Sequence, residues 1–284
     1  MSSTSISELA GPIAERAQVL ESGPLARGLD TGFADLDALT HGLQPGHLAV
    51  IASRPSMGRT TLLSTVCKNI AIGRSVPTLA VTLEETAAEF TTRLVSSVGR
   101  VGHYHLQAGQ LTEEDRRRVE RARATLADAP LRVCADPSLT MEELAGQACE
   151  AVRDHGVKFI AVDGLTDIKP EKRHDLRERE VGDIARDLKT LARELELPIL
   201  ATTHLNRIPE QRINKVPKLD DLRESGAVTF AADWILLLFR PDYYDRESPR
   251  AGEMDMILAK NRFGALGVET GAAAFHYGSI LKMP

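Results

Sequence analysis

The sequence contains few cysteines and few aromatic residues. Its three cysteines, Cys67, Cys134 and Cys149, show no C-x-x-C spacing, so we expect buried free thiols rather than a zinc site or a disulfide framework. His103 and His105 lack an accompanying set of Cys or carboxylate ligands, which favours a surface turn over a metal site. Aromatic residues make up 4% of the chain, so a surface built to stack nucleic-acid bases is not expected.

Long apolar runs are absent as well. No segment approaches the roughly 18 uncharged apolar residues of a membrane span, and the opening Met-Ser-Ser-Thr-Ser-Ile-Ser-Glu lacks the basic and apolar regions of a signal peptide. We therefore expect a cytoplasmic protein without a membrane partner. The net charge is −5, from 35 basic and 40 acidic residues, so any binding of nucleic acid must depend on a local patch.

The apolar pattern alternates between strand and helix periods along most of the chain. Predicted strands cover 48–52, 78–83, 131–135, 157–162 and 198–203, and predicted helices cover 60–72, 86–98, 113–126, 141–154 and 181–195. This alternation predicts an α/β fold with a mainly parallel, twisted sheet and helices on both faces. Three later segments, 234–239, 254–260 and 268–275, are expected to add antiparallel strands at one edge.

Residues 1–28 are predicted to form an arm ahead of a single domain at 29–284. Apolar residues at helical spacing over 6–20, followed by a Ser-Gly-Pro stretch, indicate a short amphipathic helix on a linker. This helix could pack on its own domain or dock on a neighbouring subunit, and the sequence favours neither arrangement.

A strand, a tight loop and a helix that opens on paired threonines follow one another over 48–63. The phosphate-loop pattern G-x-x-x-x-G-K-[ST] is matched by Gly58 and Thr60, while Ser53 replaces the first glycine and Arg59 replaces the lysine. In such a loop, backbone N–H groups and a helix N-terminus cradle a triphosphate, and the hydroxyl holds Mg²⁺. The candidate nucleotide-binding residues are Ser53, Arg54, Pro55, Ser56, Met57, Gly58, Arg59, Thr60 and Thr61.

Polar residues also follow three of the other predicted strands: Glu84, Asp163 and His204. Because ligands of α/β sheets bind beyond the carboxyl ends of the strands, we expect these residues to share one site with the loop. Asp163 could hold Mg²⁺ together with Thr60, although an Asp at a strand end can instead cap the next helix. Glu84 could orient an attacking water, or could cap the helix that begins near Thr86.

These residues resemble the ATPase domain of DnaB-type replicative helicases, which has the RecA-like P-loop NTPase fold. The resemblance is carried by residues 31–37 (TGFADLD), 42–45 (GLQP), 54–58 (RPSMG), 83–84 (LE), 205–207 (LNR), 221–226 (DLRESG) and 260–262 (KNR). It implies an ATP-dependent DNA helicase or translocase that acts on single-stranded DNA as a hexameric ring in DNA replication, with ATP and Mg²⁺ bound. The family alone implies a 5′–3′ direction and a replication initiator or loader as a further partner.

The resemblance also implies catalytic roles for individual residues. Glu84 would be the base that positions water, and Thr60 with Asp163 would be the Mg²⁺ pair. Lys260 and Arg262 would reach the γ-phosphate in the adjacent subunit and neutralise charge in the transition state.

Further implied contacts involve the nucleobase and the DNA. Arg93, on the helix after Glu84, would stack near the adenine. Arg223, Glu224 and Gly226 occupy the positions where the family's loop follows the backbone of single-stranded DNA, and Arg207 would line the preceding loop.

Four features depart from the family pattern. Arg59 stands in place of the loop lysine, His204 in place of the glutamine that senses the γ-phosphate, and Gly164 where the family prefers tyrosine, and the usual helical N-terminal domain is not in this sequence. Arginine is longer, planar and forked, so Arg59 could keep nucleotide binding while misplacing the γ-phosphate. The alternative function is therefore an ATP-binding, weakly hydrolysing ring or filament on DNA.

Binding of single-stranded DNA through its phosphates should be independent of sequence and should weaken steeply with salt. We expect Arg223→Ala to reduce the salt dependence of the binding constant by about one phosphate's worth, because one cation no longer displaces counterions. Fluorescence anisotropy with oligonucleotides of different sequence, at several salt concentrations, measures both properties. An unchanged salt slope, or a strong preference for one sequence, would contradict this expectation.

Overall fold

The computed structural model describes residues 5, 6, 28–171, 174 and 177–283, and for residues 223–225 the backbone alone. The helix predicted over 6–20 therefore lies almost wholly outside the described residues, and the boundary between arm and domain stays a prediction. In the described part of the chain, no helix combines the length and the apolar character that crossing a membrane requires.

One sheet contains all the named strands of the described residues. They are β1 Leu48–Ser53, β2 Thr78–Thr82, β3 Leu131–Ala135, β4 Phe159–Asp163, β5 Ile199–His204, β6 Trp234–Phe239, β7 Glu253–Asn261, β8 Gly267–Ala274 and β9 Ser279–Lys282. The order is β3-β2-β4-β5-β1-β6-β7-β8-β9. The first six strands in this order run parallel, and the last three continue antiparallel at one edge. The predicted fold class is confirmed.

Two details of the antiparallel edge differ from the prediction. The sequence predicts an antiparallel β6, but β6 runs parallel to β1, with Ala49 beside Trp234. Strand β9 is not predicted, because a strand of four residues, two of them exposed, is too short to show a clear period. The antiparallel strands are therefore β7, β8 and β9, and of these β9 is the edge strand.

Helices connect most of the strands. They are α1 Ala34–Thr40, α2 Arg59–Ala71, α3 Ala87–Gly99, α4 His103–Ala108, α5 Glu113–Ala127, α6 Met141–His155, α7 Arg177–Glu194, α8 Ile208–Gln211, α9 Gly226–Ala231 and α10 Pro241–Tyr244, with 3-10 turns at Leu165–Asp167, Leu219–Ser225 and Phe275–Tyr277. Capping boxes at Thr112 and Thr140 start α5 and α6 where the sequence predicts them. Helix α7 starts one turn earlier than predicted, because its charged first turn carries no apolar signal.

Apolar side chains fill both layers between the sheet and its helices. The central strand β1 is buried at every position. On one face Val50 packs in a cluster with Leu188 of α7, and on the other Ile51 packs in a cluster with Leu62 of α2. Alternate residues of β1 thus face the two layers, as a doubly covered parallel strand requires.

The cysteines and the histidine pair only partly match their predictions. Cys67 is a buried free thiol as expected, whereas Cys149 is free but exposed. His103 and His105 lie in the short helix α4 rather than in a turn. Among the described residues no group of three His, Cys, Asp or Glu side chains is placed to hold a metal ion.

Asp233 accepts hydrogen bonds at the amino end of the sheet. Its side chain is 1% exposed, and Oδ2 accepts hydrogen bonds from the backbone N–H of Leu48 (2.8 Å) and from Nζ of Lys189 on α7 (2.5 Å). The backbone N–H of Asp233 donates in turn to the carbonyl of Leu48 (2.8 Å). One buried carboxylate therefore joins β1, β6 and α7.

Removing this carboxylate should destabilise the fold. We expect Asp233→Ala to lower the free energy of unfolding by about 3 kcal/mol, because Lys189 and the Leu48 N–H lose their partner. Urea unfolding measures the loss. The matched control is Glu120→Ala, which breaks an exposed ion pair with Arg123 and should cost less than about 1 kcal/mol. A loss in Asp233→Ala no larger than in the control would contradict the assigned role.

Candidate active site

The parallel register places four strand ends side by side. Ser53 at the end of β1 pairs with His204 at the end of β5, and Thr82 at the end of β2 pairs with Asp163 at the end of β4. Beyond them lies a cleft of about 290 Å³. It is lined by Ser53, Arg54, Pro55, Ser56, Gly58, Arg59, Thr60, Thr61, Glu84, Glu85, Arg93, His204 and Phe275. Of the candidate loop residues, Met57 alone does not line the cleft and is buried instead.

The loop between β1 and α2 turns tightly through two residues in left-handed conformations. Ser56 has φ 63° and Gly58 has φ 96°. A Cβ at Gly58 would lie 2.5 Å from Cε1 of Phe275, so only glycine fits beneath that ring. No described side chain caps the N-terminus of α2. The first N–H groups of that helix therefore remain available to an anion in the cleft.

Thr60 and Asp163 fit a Mg²⁺ ion. Asp163 is fully buried: Oδ1 accepts from the Thr202 hydroxyl (2.7 Å), and Oδ2 has no partner in hydrogen-bonding geometry among the described residues. Burial raises the pKa of Asp163, and the hydroxyls of Thr202 and Thr60 oppose this rise. A buried, unpartnered carboxylate oxygen is costly unless a cation binds it. Mg²⁺ commonly takes one or two protein oxygens and completes its shell with phosphate and water.

Arg59 is buried between two strand ends. It is 7% exposed; Nη1 donates to the carbonyl of Thr203 (3.0 Å), and Nη2 lies 3.0 Å from Oε1 of Glu84 and 2.9 Å from Nε2 of His204. Burial lowers the pKa of Arg59, and the Glu84 carboxylate opposes that shift. A buried guanidinium needs such partners to offset its desolvation. Arg59, which occupies the lysine position of the loop, is thus hydrogen-bonded to Glu84, the predicted base, and to His204, at the predicted sensor position.

Nε2 of His204 cannot accept a hydrogen bond from Arg59 and also donate one to Glu84, whose Oε1 lies 3.4 Å away. The shorter contact with Arg59 favours a neutral ring that carries its proton on Nδ1. His204 and Arg59 both lower the pKa of Glu84. With the Nε2 lone pair directed to Arg59, we assign the stabilisation of the Glu84 anion to the guanidinium.

Arg93 lines the same cleft. It forms an ion pair with Glu85, and its Nη1 lies 3.4 Å from the Thr61 hydroxyl. Burial raises the pKa of Glu85, and Arg93 opposes this rise. Arg93 therefore shares the cleft with the loop, and its role toward an adenine stays a prediction.

Lys260 and Arg262 lie at the opposite end of the sheet. Lys260 pairs with Ile235, which pairs with Val50 near the amino end of β1. Its Nζ donates to the carbonyls of Thr229 (2.6 Å) and Ala232, at the carboxyl end of α9. The Arg262 side chain is 58% exposed, with Nη1 3.7 Å from Asp233. Neither residue joins the cleft of its own chain.

The segment expected to follow DNA runs over the surface from β5 to α9. Arg207 is exposed, and Gly226 begins α9. The side chains of Arg223 and Glu224 lie outside the described atoms, so their contacts stay predictions. Arg212 forms a bidentate pair with buried Asp221 (3.0 and 2.7 Å), so it holds this segment in place.

Three side chains that the sequence does not single out also shape the cleft. Phe275 lies over Gly58, and the Arg240 guanidinium stacks 4.3 Å from the centre of the Phe275 ring. The negative charge of Asp167 favours the charged form of Arg59. Burial is the main cause that raises the pKa of Asp167, and the charge of Glu84 is the second. No local pattern reveals these residues, because the fold brings them together from distant segments.

Comparison with known proteins places this geometry in a family. The family model described as the DnaB-like helicase C-terminal domain matches residues 28–277. The replicative DNA helicase DnaB of Leifsonia xyli subsp. xyli (strain CTCB07) is 38% identical over 237 residues, which cover 84% of this chain and 52% of that protein. The replicative DNA helicase DnaC of Bacillus subtilis (strain 168) is 32% identical over 257 residues, covering 90% and 57%.

Solved structures show the same similarity. One of them, a separate ATPase domain, superimposes with a TM-score of 0.94 at 29% identity, covering 100% of both chains. A DnaB-like replicative helicase, described with its interactions with primase, gives a TM-score of 0.91 at 29% identity and covers 100% of this chain and 68% of that one. The chain spans about half the length of the curated relatives it matches.

The backbone after Asp163 requires glycine. Gly164 has φ 94°, and a Cβ there would lie 2.5 Å from Oδ2 of Asp167. We expect Gly164→Ala to lower the free energy of unfolding by about 1–2 kcal/mol through backbone strain. Gly146, inside α6 with open space around it, is the matched control, and Gly146→Ala should stabilise by about 0.5–1 kcal/mol. Urea unfolding measures the free energy of unfolding of both variants, which should fall in Gly164→Ala and rise in Gly146→Ala. Equal changes in the two variants would contradict this expectation.

Proposed function

Because the chain belongs to the family of DnaB-like helicase C-terminal domains, we propose that it is the ATPase motor of a ring-shaped DNA helicase that moves on single-stranded DNA during replication. The observation that carries this proposal is the meeting of the loop, Glu84, Asp163 and His204 at one cleft. A cytoplasmic location and a replication initiator or loader as partner belong to the same proposal.

ATP is the substrate that the cleft fits best. The triphosphate would bind the loop from Ser53 to Gly58 and the N-terminus of α2, where uncapped N–H groups remain. Thr60 and Asp163 would hold Mg²⁺, which supplies charge neutralisation at the phosphates. Glu84 would orient the attacking water and accept its proton. Arg93, which also lines the cleft, would contact the adenine.

The position of Lys260 and Arg262 supports a site shared between subunits. Both lie at the amino end of the sheet, so they cannot reach the loop at the carboxyl end of β1 in their own chain. The turn after Arg262 exposes the apolar side chains of Phe263 and Leu266, and the start of β8 exposes that of Val268. Such a patch beside an unburied arginine suits a subunit interface. In a head-to-tail ring, this end of one subunit would face the cleft of the next.

One observation favours the alternative, an ATP-binding ring or filament that hydrolyses slowly. Arg59 binds Glu84 directly (3.0 Å), and a base held by a guanidinium is a poor proton acceptor. Both functions share the binding of ATP and of single-stranded DNA, through Arg207, Arg223, Glu224 and Gly226. They differ in the rate of hydrolysis.

The rate of hydrolysis should depend on the residue at position 59. We expect slow ATP turnover in the wild-type chain and a higher kcat in Arg59→Lys, by as much as about 10²-fold, because lysine restores a compact charge at the γ-phosphate. Steady-state assays with and without single-stranded DNA measure both. Glu84→Gln is the inactive control. A kcat that Arg59→Lys leaves unchanged or lowers would mean that the loop is adapted to arginine.

Sharing of the active site can be tested by mixing two inactive variants. Glu84→Gln and Arg262→Ala, each in a background that hydrolyses ATP, should both be inactive alone. In a random mixture, about one interface in four pairs an intact Glu84 with an intact Arg262 from its neighbour, so ATP hydrolysis should partly return.

Co-assembly of the two variants must first be verified, and hydrolysis rather than unwinding is the readout, because unwinding can require every interface. Verified mixed rings that stay inactive at every ratio would show that Arg262 acts within its own chain or has a structural role.

A further inference from the structure

The Nη2 nitrogen of Arg59 cannot keep both of its observed contacts and also donate to a γ-phosphate. Nη2 carries two hydrogens, and these are directed at Oε1 of Glu84 (3.0 Å) and Nε2 of His204 (2.9 Å). A phosphate oxygen could take this nitrogen only by displacing one of the two partners. The three atoms that Arg59 contacts, including the carbonyl oxygen of Thr203, belong to the ends of β2 and β5 and not to the phosphate loop.

One oxygen of Glu84 is occupied by this contact. A general base must present a lone pair to the water whose proton it takes. Oε1 of Glu84 accepts from the guanidinium instead, and the positive charge of Arg59 stabilises the carboxylate and lowers its pKa. The contact therefore takes one of the two Glu84 oxygens and makes the carboxylate less basic.

We propose that Arg59 is a positioning residue that acts as a nucleotide-operated latch: it holds Glu84 and His204, and the γ-phosphate of ATP draws the guanidinium onto the loop and frees Glu84 for water. This inference rests on the proposed ATPase function and adds to it a control on when hydrolysis can begin. ADP, which has no γ-phosphate, leaves the latch closed.

The forked shape of arginine is what makes the latch work. Both terminal nitrogens of Arg59 are used, one on the Thr203 carbonyl and one on Glu84 and His204. A lysine carries its three hydrogens on one nitrogen at the end of a shorter side chain, so it lacks the fork of two nitrogens by which Arg59 reaches β2 and β5 at once. Histidine at position 204 contributes a neutral acceptor, whereas a charged ring would repel Arg59.

A double-mutant cycle on nucleotide affinity tests the latch without using turnover. The dissociation constants of a non-hydrolysable Mg·ATP analogue and of Mg·ADP are measured for the wild-type chain, Glu84→Ala, Arg59→Ala and the double variant. Opening the latch breaks a hydrogen bond to a charged group, so Glu84→Ala should tighten binding of the analogue by about tenfold when Arg59 is present. In the Arg59→Ala background, Glu84→Ala should tighten binding of the analogue by a smaller factor, because only the repulsion between the carboxylate and the phosphates is removed.

The control variant is Asp167→Asn. Asp167 acts electrostatically on both Arg59 and Glu84 but forms no hydrogen bond with Arg59 in the described structure. Its removal should show a weaker coupling to Arg59 than the removal of Glu84 does, because charge alone links Asp167 to the guanidinium. The latch is overturned if Glu84→Ala tightens binding equally in both backgrounds, or if the coupling is as large for ADP as for the analogue. If no variant binds either nucleotide, the proposed ATPase function fails together with the latch.

Nitrogen-15 NMR of the wild-type chain gives a second readout that needs no destabilising variant. The ring signals of His204 are assigned by their loss in His204→Gln. Nε2 of His204 should be an unprotonated acceptor in the free protein, should shift when the Mg·ATP analogue binds, and should not shift with ADP. A signal that does not respond to the analogue would overturn the latch.

Discussion

Parallel pairing of β1 with β5 and of β2 with β4 determines where every group of the candidate site lies. It brings the strand ends that carry Ser53, His204 and Asp163 to one edge of the sheet. The same pairing sends the amino ends to the opposite edge, where Asp233 joins β1, β6 and α7. The cleft and the pair Lys260 and Arg262 are thereby separated within one chain. Under the proposed function, a complete site would require a second subunit, as heterologous ring contacts provide.

Three residues that depart from the pattern implied by the resemblance lie near Glu84. Arg59 and His204 lie 2.9 Å apart and share Glu84 as a neighbour. Gly164 is the third, and a Cβ there would come within 3.5 Å of Cγ of Glu84. The three positions thus surround the proposed base, and this proximity is why we propose an altered control of Glu84.

The fold and the outline of the site could be predicted from the sequence. The apolar pattern located β1, and the capping residues Thr112 and Thr140 located the starts of α5 and α6. Both kinds of signal depend on neighbouring residues alone. The parallel direction of β6 and the cover that Phe275 forms over Gly58 depend on contacts between distant segments, which local patterns do not contain. The orientation of Arg59 also escaped prediction, since its hydrogen-bond partners are known only once β2 and β5 are placed.

We propose that the loop of one subunit and Arg262 of the next form a single ATP site. An experimental structure of the assembled protein with Mg²⁺ and a non-hydrolysable ATP analogue would test this. We expect the triphosphate in the loop from Ser53 to Gly58, Mg²⁺ on Thr60 and Asp163, and Arg262 of the partner subunit at the γ-phosphate. Nucleotide bound in the loop while every Arg262 stays beside Asp233 of its own chain would contradict it.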